Sequence, residues 1–290
     1  MNLREDRRIF CITGKRAVFS ALFSRTARLP FCLLLLVCCL ALGACQEETR
    51  RQYRDDISLA EEALQKRDIG DAEMYYERYL RKNPQGELRW HVWEQLLNIS
   101  MDMRQDRNTS REYLEIMLLE FSYIPERRRE LQLRLAALCT ELHEYTRSTE
   151  LWEALVQDPD TPDKIKAQVY RDLAHAYLRR LEFIMATDTL QACLNLEIDN
   201  ATKAECLYAL GEAQSLTEDL TAAEASLRSA LELPDTPEHR RVLIVFMLAD
   251  VLEQQSNYTS AITYFETIRG TYPNEKVVEL RIANLKKMLK

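Results

Sequence analysis

The sequence predicts an all-α solenoid of about six helix pairs with one further helix at its carboxyl end. Three observations predict it. Glycine occurs at only six of 290 positions, whereas tight sheet turns need glycines at positive φ. Helix-favouring Leu, Ala, Glu and Arg are abundant. A pattern of small and bulky apolar residues recurs every 37 or 38 residues between residues 53 and 273, and a period of this size is typical of repeat architectures.

The first element of the repeat is a leucine followed by a small residue in the first helix of each pair. These pairs are Leu59-Ala60, the degenerate Leu97-Asn98, Leu135-Ala136, Leu173-Ala174, Leu210-Gly211 and Leu248-Ala249. Small residues allow two helix backbones to approach closely where they cross. We therefore expect each pair to mark a helix crossing.

The second helix of each pair supplies three more aligned columns. Twelve residues after each pair comes a small residue: Ala72, Ser110, Ser148, Ala186, Ala223 and Ala261. Four residues later comes a bulky one: Tyr76, Leu114, Trp152, Leu190, Leu227 and Phe265. Three further on come Tyr79, Met117, Leu155, Cys193, Ala230 and Ile268. Residues three and four apart share a helix face, so these columns predict a buried stripe.

This spacing, together with closing prolines at Pro84, Pro159, Pro234 and Pro273, resembles the tetratricopeptide repeat. The resemblance implies a right-handed α-solenoid over residues 53–273. The family period is about 34 residues. Because the spacing inside each repeat is kept, we expect the added residues at the joints between repeats. Residues 274–290 are expected to form a capping helix, with Asn274 capping its amino end.

The first 44 residues have the pattern of a secretory signal. Residues 1–30 carry seven basic and two acidic side chains, and the apolar run from Leu29 to Leu42 is fourteen residues long. That run is too short for a transmembrane helix, which needs about 20 residues.

The string Leu42-Gly43-Ala44-Cys45 resembles a bacterial lipobox. The resemblance implies that residues 1–44 are removed, that Cys45 is acylated and binds the membrane, and that residues 45–52 form a short tether. Because Gln46 is not aspartate, we expect the periplasmic face of the outer membrane rather than the inner membrane. An ordinary signal peptide cut after Ala44 is the alternative.

The sequence carries no motif for catalysis. The four histidines stand far apart, so no metal site is predicted. Phosphate-binding loops, dinucleotide fingerprints and the hydrolase nucleophile motif do not occur. Residues after 30 carry a net charge of −7 − 5 = −12, which argues against nucleic-acid binding. We predict a protein that is not an enzyme and needs no cofactor.

Two of the cysteines after Cys45 lie on consecutive helices that should pack together. If the protein is exported to an oxidising compartment, Cys193 and Cys206 can form a disulfide. The alternative for Cys139 and Cys193, which occupy core columns, is a small buried apolar residue.

In the family that the repeats resemble, the first helix of every repeat lines a groove that binds a partner's peptide. Carried onto this chain, the groove residues are Arg134, Arg171, His175, Arg179, Tyr208, Glu212 and Phe246. A solvated helix face is the alternative for each of them.

The leading hypothesis is a membrane-anchored scaffold or adaptor that binds other envelope proteins during assembly of a bacterial cell-envelope complex. One alternative is a peptidoglycan- or saccharide-binding lipoprotein, with Tyr208 and Phe246 as its aromatic candidates. An accessory subunit of an envelope enzyme and a homo-oligomer with facing grooves are two more. The sequence leaves the oligomeric state open.

Overall fold

The computed structural model describes residues 56–289, which contain helices and turns and no strand. The predicted signal segment, Cys45 and the tether lie outside these residues. The chain divides into two compact units, one ending at Lys82 and the other spanning Asn83–Lys290. The predicted all-α class is confirmed.

The first compact unit holds the helix pair of repeat one. Helix α1 covers residues 56–65 and α2 spans Ile69–Lys82. The carboxylate of Asp56 is buried and binds both Arg78 and Lys82 of α2, the latter at 3.3 Å. Since a buried carboxylate is costly without partners, these two cations fix how α2 lies against α1.

The second compact unit holds repeats two to six and a final helix. Its helices are α3 (Arg89–Asn98), a π-helical turn (Ile99–Met103), α4 (Arg107–Phe121), α5 (Pro125–Glu141), α6 (Tyr145–Gln157), α7 (Asp163–Arg179), α8 (Phe183–Leu194), α9 (Asn200–Leu216), α10 (Leu220–Glu232), α11 (Glu238–Gln254), α12 (Tyr258–Thr267) and α13 (Glu275–Met288). The first helices of the repeats are α3, α5, α7, α9 and α11.

The small and bulky columns of the second helices form the core. All six small residues predicted for the crossing are completely buried, and so are the bulky residues one turn further on. In repeat five the two helices approach closely, because a Cβ added at Gly211 would stand 2.7 Å from Cγ of Leu227. The periodicity therefore predicted the packing surface of each second helix correctly, whereas Leu59 of the first predicted pair is exposed.

Repeat two departs from the predicted register by one residue. Asn98, assigned to the small column, is exposed, whereas Leu96 and Leu97 are buried. The buried residues of α3 and its extension are Val92, Trp93, Leu96, Leu97, Ile99 and Ser100, and all of them except Trp93 have buried counterparts in α5. The other five have the same spacing as Leu131, Leu135, Ala136, Leu138 and Cys139 of α5.

The π-helical turn explains this shift. The backbone N–H of Arg104 donates to the carbonyl of Ile99, five residues back, at 2.9 Å. Such a turn takes up one more residue than an α-helical turn. The leucine pair of repeat two is therefore Leu96-Leu97, and the predicted Leu97-Asn98 was wrong by one position.

Each repeat turns from its first helix to its second through three residues, the second of which has positive φ. These residues are Arg67, Gln105, His143, Leu181, Glu218 and Ser256, with φ between 54° and 63°. None is glycine, although glycine is usual at such helix ends. The joint to the next repeat has six residues after repeat one (83–88), three after repeat two (122–124) and five after each of repeats three to five (158–162, 195–199 and 233–237). The expected longer joints are therefore present after every one of these repeats except repeat two.

Helix α13 packs on the last repeat through Val278, Ile282 and Leu285. Asn274 occupies its N-cap position, but its side chain accepts no capping hydrogen bond, so the predicted cap was wrong in this respect. The outer face of α13 is mixed, because Leu280 and Met288 are exposed together with charged Glu279, Lys286 and Lys287. No helix among residues 56–289 has the length and apolar character needed to cross a membrane.

Candidate partner-binding groove

A concave surface of about 390 Å³ lies between α7 and α9, beside the turn that joins α7 to α8. We call it the α7–α9 groove. Its apolar lining includes Ala174, Leu178, Leu181, Phe183, Leu190 and Leu216. Its charged lining consists of Arg171, His175, Arg179 and Glu212. The structure thus brings together four of the seven residues predicted for a groove.

Two of the apolar residues are unusually exposed. Leu181 is 72% exposed and Leu216 is 60% exposed. Ile184 and Met185, at the start of α8, are exposed next to them. Contiguous exposed apolar surface on a folded protein marks a place where another molecule binds. The apolar turn of repeat four has this character.

Arg179 is the cation of the groove that is held in place without a carboxylate. Its Nε donates to the hydroxyl of Tyr145 at 3.1 Å, and its guanidinium lies 5.6 Å from the centre of that ring. Among the described residues Arg179 has no ion-pair partner. Its terminal N–H groups are available to a carboxylate on a bound molecule.

The other predicted arginines are engaged in ion pairs between neighbouring first helices. Arg134 binds Glu94 of α3 through two hydrogen bonds of 2.7 and 3.1 Å. Arg171 binds Glu205 of α9 at 2.8 Å, and Arg240 of α11 binds the same carboxylate at 3.0 Å. These contacts align the first helices. Of the two arginines that line the groove, Arg171 is therefore engaged in an ion pair with Glu205.

Burial also affects the pKa of one acidic side chain near the groove. Burial raises the pKa of Asp172 above its usual range, while Arg171 and His175 oppose the shift. A carboxyl group with a raised pKa destabilises the fold when it ionises.

Tyr208 and Phe246, also predicted for the groove, do not line it. Phe246 stacks on Tyr272 with ring centres 4.3 Å apart and meets Phe265 edge to face at 5.4 Å. Tyr208 packs against the core of the last repeats, and burial raises the pKa of its hydroxyl. Phe246 therefore serves packing between rings, and Tyr208 is a partly buried residue at the edge of the core.

The prediction missed the apolar turn, yet a signal was present in the sequence. The other five residues at the second turn position are polar or charged, and Leu181 alone is apolar. Phe183, Ile184 and Met185 then follow at the start of the second helix. An apolar run in a turn that is otherwise polar points to a contact outside the repeat.

Cys193 and Cys206 are joined by a disulfide in the structure, with Cα atoms 6.2 Å apart. This bond links α8 to α9 and so connects repeats four and five. Cys139 is a buried free thiol, and burial raises its pKa to about 12. Residues 56–289 contain no group of three His, Cys, Asp or Glu side chains arranged to hold a metal ion.

Comparison with known proteins supports the repeat assignment. A tetratricopeptide-repeat model matches residues 204–236, which are α9 from Ala204, α10 and the start of the following joint. The crystal structure of the apo form of RapI has a TM-score of 0.61 and 16% identity, covering 81% of this chain and 67% of that one. Yeast Tom70 has a TM-score of 0.50 and 16% identity, covering 75% of this chain and 42% of that one. The sequence matches none of the curated proteins with which it was compared.

Identities this low show the fold alone. Together with the matched repeat, they confirm the predicted all-α, tetratricopeptide-like solenoid fold. Folds of this type are generally scaffolds that bind other proteins and do not catalyse reactions.

Proposed function

We propose that this chain is a membrane-anchored scaffold that binds a segment of another envelope protein in the α7–α9 groove and takes part in assembling a bacterial cell-envelope complex. The observation that carries the proposal is the groove, where exposed Leu181 and Leu216 flank an apolar floor. In protein interfaces, much of the binding energy comes from apolar pockets that also hold a few charged groups.

The chemistry of the groove defines the partner segment. Its floor fits a bulky apolar side chain, and Arg179 stands ready to bind a carboxylate next to that side chain. Glu212 lies on the opposite wall, in α9. An amphipathic segment with an apolar anchor and an acidic neighbour satisfies both features.

The membrane part of the proposal rests on the sequence Leu42-Gly43-Ala44-Cys45. Two or more acyl chains on Cys45 would hold the protein at a membrane, because each buried methylene contributes about 0.8 kcal/mol. We place it on the periplasmic face of the outer membrane, since Gln46 follows the cysteine. The groove would then work close to that membrane.

The partner is tested by affinity capture with a charged substitution in the groove. Leu216→Glu places a carboxylate on the apolar wall and should abolish capture of the partner. Leu119 on α4 is 83% exposed and lies outside the groove, so Leu119→Glu is the matched control and should capture normally. Equal recovery of the same proteins by both variants would remove the groove from the proposal.

The anchor is tested by fractionation. Cys45→Ser should move the protein from the membrane fraction to the soluble periplasmic fraction. A variant that stays with the outer membrane would contradict acylation at Cys45 and leave the groove hypothesis untouched. Light scattering on the purified protein distinguishes the alternative of a homo-oligomer with facing grooves.

A further inference from the structure

A second concavity, about 450 Å³ in volume, lies in repeats two and three between the start of α3, the end of α4 and the start of α5. It shares no residue with the α7–α9 groove. Its walls are mainly polar and charged, with aromatic rings between them. The two concavities therefore suit different ligands.

One wall is a preformed ion pair. The guanidinium of Arg89 binds Glu120 through two contacts, one of them 2.6 Å, and the indole N–H of Trp93 donates to the same carboxylate at 3.0 Å. The side chains of Arg89 and Glu120 are mostly buried. Because each neutralises the other, this pair contributes shape and hydrogen-bonding groups but little net charge.

The opposite wall carries a cation without a carboxylate. The guanidinium of Arg127 lies 4.4 Å from the ring of Trp90 and 5.4 Å from that of Phe121, and those rings meet edge to face at 5.1 Å. Among the described residues Arg127 has no ion-pair partner. Ring contacts hold its planar group in position. A guanidinium fixed in this way is preorganised to bind a carboxylate through two parallel hydrogen bonds.

Tyr123 supplies an aromatic surface at the mouth of the pocket. It is 76% exposed, so its ring is open to a ligand. The apolar face of a sugar ring can cover such an aromatic ring, while its hydroxyls need the polar partners that Gln85, Glu87 and Glu120 offer. An apolar peptide side chain bound here would instead bury these polar groups without hydrogen-bond partners.

We propose that this pocket binds a saccharide that carries a carboxylate, with the sugar ring against Tyr123 and the carboxylate on Arg127. The pocket thus provides a saccharide site at residues other than Tyr208 and Phe246. It lies in different repeats from the α7–α9 groove and does not depend on that groove binding a protein.

The experiment is calorimetric titration of the full chain, purified in detergent, with two sugars. N-acetylmuramic acid carries a carboxylate on a lactyl group that is ether-linked to its ring, and N-acetylglucosamine has the same ring without that group. We expect the acidic sugar to bind at least ten-fold more tightly. Tyr123→Ala should weaken both sugars at least ten-fold, and Arg127→Gln should remove the preference for the acidic one.

Leu119→Ala is the matched control, since Leu119 is exposed near the same end of α4 and does not line the pocket; it should bind as the unchanged protein does. If circular dichroism shows that Arg127→Gln has unfolded, the two-sugar comparison and the exposed Tyr123→Ala variant still test the proposal. Failure of both sugars to bind, equal affinity for the two, or unchanged binding by Tyr123→Ala would overturn it. Tighter binding of N-acetylphenylalanine, which carries a carboxylate and no sugar, would overturn it in favour of a peptide site.

Discussion

Gly211 of α9 faces Leu227 of α10 at a helix crossing, and this contact allows a sharp test of the packing columns. A Cβ at Gly211 would stand 2.7 Å from Cγ and 2.9 Å from Cδ2 of Leu227, which is completely buried. In an open helix Gly→Ala stabilises by about 1 kcal/mol, whereas overpacking a filled core costs about 1–3 kcal/mol. We expect Gly211→Ala to destabilise the protein by about 1 kcal/mol, read as a lower urea midpoint by circular dichroism.

The control is the same substitution after the clash is removed. Leu227→Ala alone should cost about 2–5 kcal/mol, as large-to-small core changes do. In that background Gly211→Ala should become stabilising by about 1 kcal/mol, because only its helix propensity remains. A Gly211→Ala variant that is stabilised in the otherwise unchanged protein would refute the close crossing.

Three further predictions concern stability. Glu218 has φ of 62°, so Glu218→Gly should raise the free energy of unfolding by about 1 kcal/mol, read as a higher urea midpoint, while Glu218→Ala should not. Burial raises the pKa of Asp172 in the folded protein, so the free energy of unfolding should fall as pH rises from the ordinary aspartate pKa to this raised pKa. Asp172→Asn should therefore stabilise the protein at pH 7 and make no difference in acid. An equal effect at both pH values would contradict the raised pKa. The Cys193–Cys206 disulfide spans 13 residues, so dithiothreitol should destabilise the protein by about 3 kcal/mol and should have no effect on Cys193→Ser.

The sequence was sufficient for the fold and for the core of each second helix, because close packing at a helix crossing restricts which residues can occupy it. Ala72, Ala186 and Ala261 are completely buried where the repeat placed them. For repeat two, this reasoning gave a register that was wrong by one residue. The π-helical turn after Asn98 depends on a backbone hydrogen bond, and no residue type in the sequence predicts that bond.

The candidate site was only partly predictable. The resemblance to the tetratricopeptide repeat implied a groove that includes Arg171, His175, Arg179 and Glu212, and the structure brings these four residues together. Helix periodicity could not show that Tyr272, which lies in the loop before α13, stacks on the ring of Phe246. Contacts made by loops from other parts of the chain do not follow a helical period, so they required coordinates.

The most direct test of the proposed function is site-specific photocrosslinking in living cells at Leu181, at the apolar rim of the α7–α9 groove. A photoreactive residue there should give one crosslinked protein species, and that species should disappear when Arg179→Glu is added. The same residue at Leu119, which is more exposed and lies outside the groove, should not give it. Crosslinking of the same species at Leu119, or none at Leu181, would contradict a partner bound in this groove.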